Sequence, residues 1–106
     1  MVSTDMIVKV YKIFTESEWN DFQANNQFKG SADDLRDGFI HLSTEEQIDE
    51  VMKKYFSGQH PLYVAEFSDL NFLQKLKWEI SASGGVYPYL YDSNLLPGDV
   101  TGFVKL

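Results

Sequence analysis

Gly38-Phe39-Ile40-His41-Leu42-Ser43-Thr44 runs directly into Glu45-Glu46-Gln47-Ile48, and this junction decides how the chain reads. Strand residues alternate between faces, which places Phe39, His41 and Ser43 on one side and Ile40 and Leu42 on the other. Ser43-Thr44-Glu45-Glu46 then has the form of a capping box, with Ser43 as N-cap and Thr44 as the first helical residue. The helix that follows has the cleanest period in the chain. Ile48, Val51, Met52 and Tyr55 fall at i, i+3, i+4 and i+7 and form one apolar stripe. Acids occupy its first turn and Lys53 and Lys54 its last, as the helix dipole favours, and Gly58 is placed to end it.

Before this junction, Ile7 to Phe14 is rich in β-branched and aromatic residues and predicts a first strand. Thr15 and Glu18 spell another capping box, so a helix carrying Trp19 and Phe22 on one face should run to about Asn25-Asn26. Gln27 to Asp37 has no clear period; a loop with one helical turn is expected. After it, Leu62 to Phe67 is apolar on both faces and predicts a central strand. Ser68 to Phe72 reads as a turn or short helix. A fourth strand is expected over Leu76 to Ile80 and a loop over Ser81 to Gly85. Tyr87 to Tyr91 is a fifth extended segment, which tolerates Pro88 only near its start or on an edge. Pro97-Gly98 suits a type II turn leading into a last strand, Val100 to Lys105. Two helices followed mostly by strands argue an α+β fold with a mixed or antiparallel sheet.

The chain has 106 residues, the size of one domain, and an ordered core over about residues 7–105 is expected. Aromatic residues make up 15%, enough for a sizeable core without a covalent staple, and there is no Cys to form one. Without Cys, disulfides, zinc–thiolate sites and a cysteine nucleophile are excluded. Met1 to Asp5 show no basic stretch followed by an apolar run, and no segment approaches the length of a membrane span. A cytoplasmic, soluble protein with no membrane association is the expectation. Sixteen acids against nine Lys and Arg give a net charge of −7, which repels a phosphate backbone, so no duplex nucleic acid is expected as a partner. A small anion bound by backbone N–H groups is not excluded.

His41 is the first candidate for chemistry, because an imidazole can donate, accept or transfer a proton near neutral pH. Its ordinary role on a strand is a packed, hydrogen-bonded side chain. Against that stand its shared face with Ser43 and the helix start that follows, where unpaired N–H groups point outward. Ser43 and Thr44 also have a purely structural use as caps. Glu79 lies opposite Leu76, Trp78 and Ile80 on its strand, where exposure is the simple explanation. Tyr87, Tyr89 and Tyr91 alternate on one face and can pack or stack on a flat ring. The two His are nineteen positions apart and no metal-ligand spacing is present. Neither a G-x-G-x-x-G nor a phosphate-binding loop occurs.

Taken together, Val10-Tyr11-Lys12-Ile13, Trp19, Asp37-Gly38-Phe39-Ile40-His41-Leu42-Ser43-Thr44, Gly58-Gln59, Lys77-Trp78-Glu79 and Tyr87-Pro88-Tyr89-Leu90-Tyr91 resemble domain-of-unknown-function family 952. The resemblance runs from about Val8 to Val104. It implies a small split sheet with two main helices, similar to ADP-ribosyltransferases, around a cleft that holds NAD in those enzymes. The family's polar positions then fall on Lys12, His41, Ser43, Glu79 and Tyr89. Many relatives have His at the positions of Lys12 and Tyr89, so two imidazoles are replaced here. On this resemblance His41 and Glu79 are the catalytic candidates, and Lys12, Ser43, Thr44, Trp78, Tyr89 and Tyr91 the ligand-binding ones. Three functions follow: binding of a nucleotide-like ligand such as NAD, ADP-ribose or a nucleotide phosphate; an ADP-ribosyl-type transferase or related nucleotide-processing enzyme; or a protein-interaction module that uses the tyrosine face. A monomer or weak dimer is expected.

Overall fold

The computed structural model describes residues 8–106. The strand start at Ile7 and the reading of Met1 to Asp5 lie outside these residues. Strand β1 (Lys9–Thr15) is followed by helices α1 (Glu16–Asn25) and α2 (Ala32–Asp37), then strand β2 (Ile40–His41) and helix α3 (Ile48–Tyr55). Strands β3 (Leu62–Ser68), β4 (Leu76–Ile80), β5 (Val86–Leu90) and β6 (Val100–Lys105) complete the chain. They form two three-stranded sheets, ordered β1-β3-β6 and β2-β5-β4. Every pairing between these strands is antiparallel. The result is α+β, with β3 central in its sheet as its apolar faces require. None of the described helices is long and apolar enough to cross a membrane.

The main core lies between the two sheets and α1. Phe14, Trp19, Phe22 and Phe28 pack ring against ring, with Phe14 and Phe22 stacked at 5.1 Å and Phe14 edge-on to Trp19 at 5.4 Å. Ile40, Leu42, Leu76 and Leu90 bring the second sheet against them. On the opposite face of β1 and β3, Tyr11, Ile13, Leu62 and Val64 receive Ile48, Val51 and Met52 of α3. The helical stripe is therefore used, except that its last member, Tyr55, remains exposed.

Several local expectations are corrected. The helical turn expected before β2 is present and extends to the six residues of α2, opened by a capping box in which Asp34 N–H donates to Ser31 Oγ (3.2 Å) and Ser31 N–H to Asp34 Oδ2 (2.9 Å). The N-cap of the next helical segment is Thr44, not Ser43. A short 3₁₀ turn (Glu45–Gln47) precedes α3, and the Gln47 side chain accepts from Thr44 N–H at 3.0 Å. Ser43 is held instead by its backbone, in an isolated bridge with Tyr11. Helix α3 ends at Tyr55 with Phe56 as its C-cap, two residues before Gly58. Pro97-Gly98 opens a 3₁₀ turn, and Gly98 does not take the positive φ of a type II turn.

Pro88 is the most informative correction. It sits in the middle of β5, a central strand, not near a start or edge. Tyr91 N–H donates to Lys75 C=O, so the alternation of an antiparallel ladder directs residues 87, 89 and 91 toward β4. The missing N–H of Pro88 therefore faces the β2 side and costs the β4 ladder nothing. Its carbonyl still accepts from Leu42 N–H at 3.2 Å, but the reciprocal bond cannot form. The ladder with β2 stops there after two residues. The chain leaves this sheet and Ser43 joins the other.

Candidate functional site

Lys12 explains how the site is assembled. On β1 it stands between Val10 and Phe14, on the face that fills the main core, and only 6% of it is exposed. A buried ammonium needs a paired anion. Its Nζ donates to Asp34 Oδ2 at 2.8 Å and to the His41 carbonyl at 3.1 Å, and lies over the Phe28 ring. Asp34 is itself 2% exposed. Beyond Lys12, its carboxylate accepts from Ser31 N–H, His41 N–H (3.1 Å) and His41 Nδ1 (2.6 Å). Burial pushes this carboxyl up, but the His41 bond, the Lys12 charge and the Ser31 amide outweigh it and hold the group well below the usual carboxylate range. Gly30 makes room for this arrangement. Its φ is +133°, and a Cβ there would stand 2.8 Å from Asp34 Cβ.

Asp34 orients His41. A carboxylate on Nδ1 fixes that nitrogen as the donor and turns the Nε2 edge outward. Nε2 lies 3.1 Å from Asp37 Oδ2 at the rim of α2, and Asp37 is also paired with Arg36 (3.0 Å). Those Arg36 contacts, above all, lower the Asp37 carboxyl.

The His41 ring faces a cavity of about 350 Å³, within the usual range for small-ligand sites. Lys12, Asp34, His41 and Ser43 supply its polar wall. Phe39, Tyr87 and Tyr89 supply an aromatic one: Phe39 stacks on Tyr89 at 4.2 Å, and Tyr89 stands edge-on to His41 at 5.4 Å. Glu50 and Lys54 of α3 and the Ser81–Ser83 loop complete the rim. Burial raises the hydroxyls of Tyr87 and Tyr89, so both remain neutral donors at ordinary pH.

Four of the residues expected at a site thus meet here: Lys12, His41, Ser43 and Tyr89. Thr44, Trp78, Glu79 and Tyr91 are not among the lining residues. Glu79 is exposed and accepts a hydrogen bond from the Tyr91 hydroxyl, which raises that phenol to about 12. Trp78 pairs with Pro88 across the strands and so lies on the sheet face opposite Tyr89. Asp34 is absent from the expected site residues, and Phe39, on the His41 face of the Gly38–Thr44 segment, carries no ligand role there. The signal for Asp34 was present as Ser31-Ala32-Asp33-Asp34, a capping-box pattern whose acid here serves both the helix and the histidine.

A two-sheet α+β fold with a buried Lys12–Asp34 pair bonded to His41 at its seam defines the class, and a family model matches residues 13–103. The chain belongs to the family described as protein of unknown function, DUF952. It is similar to protein CC0527 from Caulobacter crescentus, known from an X-ray crystal structure, with 42% identity. That match covers 92% of this chain and 85% of the other, with a TM-score of 0.86. The solution NMR structure of the same protein matches at 42% identity over 91% and 82% of the two chains, with a TM-score of 0.79. No curated protein matches.

Proposed function

We propose that the cavity beside His41 binds a small nucleotide-like molecule, of the kind of NAD, ADP-ribose or a nucleotide phosphate. One observation carries this reading: the buried Asp34 aims His41 into the same cavity that Phe39, Tyr87 and Tyr89 wall with flat rings. A nucleotide presents a flat base to stack and ribose hydroxyls to hydrogen-bond, and the two walls supply those two kinds of contact. Lys12 is occupied by Asp34 and the His41 carbonyl, so its part is to hold the anion that aims His41. Lys54, on the cavity rim, is the cation better placed for a phosphate. Two antiparallel sheets with a cavity at their seam are in keeping with the ADP-ribosyltransferase-like arrangement that the family resemblance implies. A transferase needs an acid at its reacting centre. Glu79, on the sheet face of Tyr87 and Tyr89 but hydrogen-bonded to Tyr91 and outside the cavity lining, does not favour that role, and binding without turnover is the reading adopted.

A thermal-shift series with NAD, ADP-ribose and nucleotide phosphates tests this. Ligand at about 100 times its Kd stabilises the folded state by about 2.7 kcal/mol, a readily measured rise in Tm. At least one of these ligands should give it, and His41→Ala should remove it while leaving circular dichroism unchanged. No shift with any of them at millimolar concentration overturns the proposal.

A further inference from the structure

Strand β4 ends its sheet with a free edge, and the sequence along that edge is self-complementary. The ladder register that turns Lys77 and Glu79 toward β5 turns the backbone of Leu76, Trp78 and Ile80 outward. Leu76 N–H folds back on Leu73 C=O. Among the described residues, the N–H groups of Trp78 and Ile80 and the carbonyls of Leu76, Trp78 and Ile80 have no backbone partner. The side chains are open as well: Trp78 is 45% exposed and Ile80 is 76% exposed.

We infer that β4 is a homodimer interface, in which two copies pair antiparallel about a twofold axis through Trp78. In that register Trp78 faces Trp78 of the second copy and exchanges both backbone bonds with it. Ile80 N–H reaches the carbonyl of Leu76 in the second copy, and the axis repeats the bond. Between these hydrogen-bonded pairs lie the closer, non-hydrogen-bonded ones, and there Lys77 meets Glu79 of the second copy, twice. On the other sheet face Trp78 meets its own copy and Ile80 lies opposite the already buried Leu76, which covers the apolar surface of Trp78 and Ile80 now in water.

Charges on an edge strand ordinarily prevent such pairing. A lone Lys or Glu at the centre would do so, because a twofold axis sets it against itself. Lys77 and Glu79 flank the centre at equal distance with opposite sign, so the axis converts repulsion into attraction. An isologous interface requires this kind of symmetry.

Sedimentation equilibrium over a concentration series up to about 1 mM measures the association, since a Kd of that order is the weakest it need detect. The wild type should show a monomer–dimer equilibrium. Lys77→Glu and Glu79→Lys should each weaken it about tenfold or more, because two attractive cross-strand pairs become repulsive. Combining the two substitutions restores opposite charges in the same register and should restore the dimer. Mixing the two single variants should produce a heterodimer, each chain presenting two like charges of opposite sign to the other. Circular dichroism confirms that each variant is folded. A wild type that stays monomeric throughout, or a dimer unaffected by either single reversal, overturns the inference.

Discussion

The Asp34 carboxylate and the Nδ1 atom of His41 stand 2.6 Å apart, seven residues from each other in sequence and on different elements. The same carboxylate takes the Lys12 ammonium on its other oxygen, so one buried anion joins α2, β1 and β2.

The two members of the buried pair should not be equal in a stability measurement. Asp34→Ala strands the Lys12 ammonium in the core and should cost about 3–5 kcal/mol in denaturant unfolding. Lys12→Met leaves Asp34 with its Ser31 and His41 donors and a side chain suited to the apolar surroundings, so about 1–3 kcal/mol is expected.

The same carboxylate makes stability depend on acid. Its native value is depressed from the ordinary 3.8, so the unfolded chain takes up the proton first as pH falls. The stabilisation is whole above that unfolded value and is lost progressively below it. Urea unfolding followed downward from neutral pH should show a decline beginning near pH 4, and Asp34→Asn should lack this component.

Tyr11 gives the opposite sign at the alkaline end. Burial, followed by the Glu66 carboxylate that its hydroxyl donates to at 3.0 Å, raises the phenol from 10.0 to about 12. The unfolded chain releases that proton first, so the contribution is intact below pH 10 and disappears between 10 and 12. Phenolate absorbance should show a late titration in that range to which Tyr11 and Tyr91 both contribute. Tyr11→Phe should lower its amplitude by one phenol and cost about 0.5–1.5 kcal/mol at neutral pH.

How much of this was legible in the sequence depended on the range of the interaction. The box Thr15–Glu18, the stripe from Ile48 to Met52 and the apolar run of β3 are local patterns, and the elements formed as those patterns predict. His41 could be singled out because a strand meets a helical segment beside it. Asp34 could not, since its importance comes from Lys12, twenty-two residues earlier, being buried by the neighbours of β1. Glu79 and Trp78 show the converse. Alternation along β4 is legible in the sequence, but the pairing with β5 sets Trp78 on the face opposite Tyr89, and Glu79, although on the Tyr89 face, lies outside the lining. The unusual placement of Pro88 in a central strand is possible because its missing donor faces the partner that the chain is about to leave.

That departure has a mechanical consequence. Tyr11 and Ser43 exchange backbone bonds of 2.8 and 2.9 Å where the chain crosses between sheets, and the Lys12 side chain straps the same seam from below. The cavity wall therefore contains residues from both sheets, which the shared core also holds together. A molecule of the proposed kind, held between Phe39 and Tyr89 on one side and α3 on the other, would bridge the two sheets at this crossing. Amide exchange at Tyr11 and Ser43 then reports on occupancy of the cavity even though a ligand need not touch either amide.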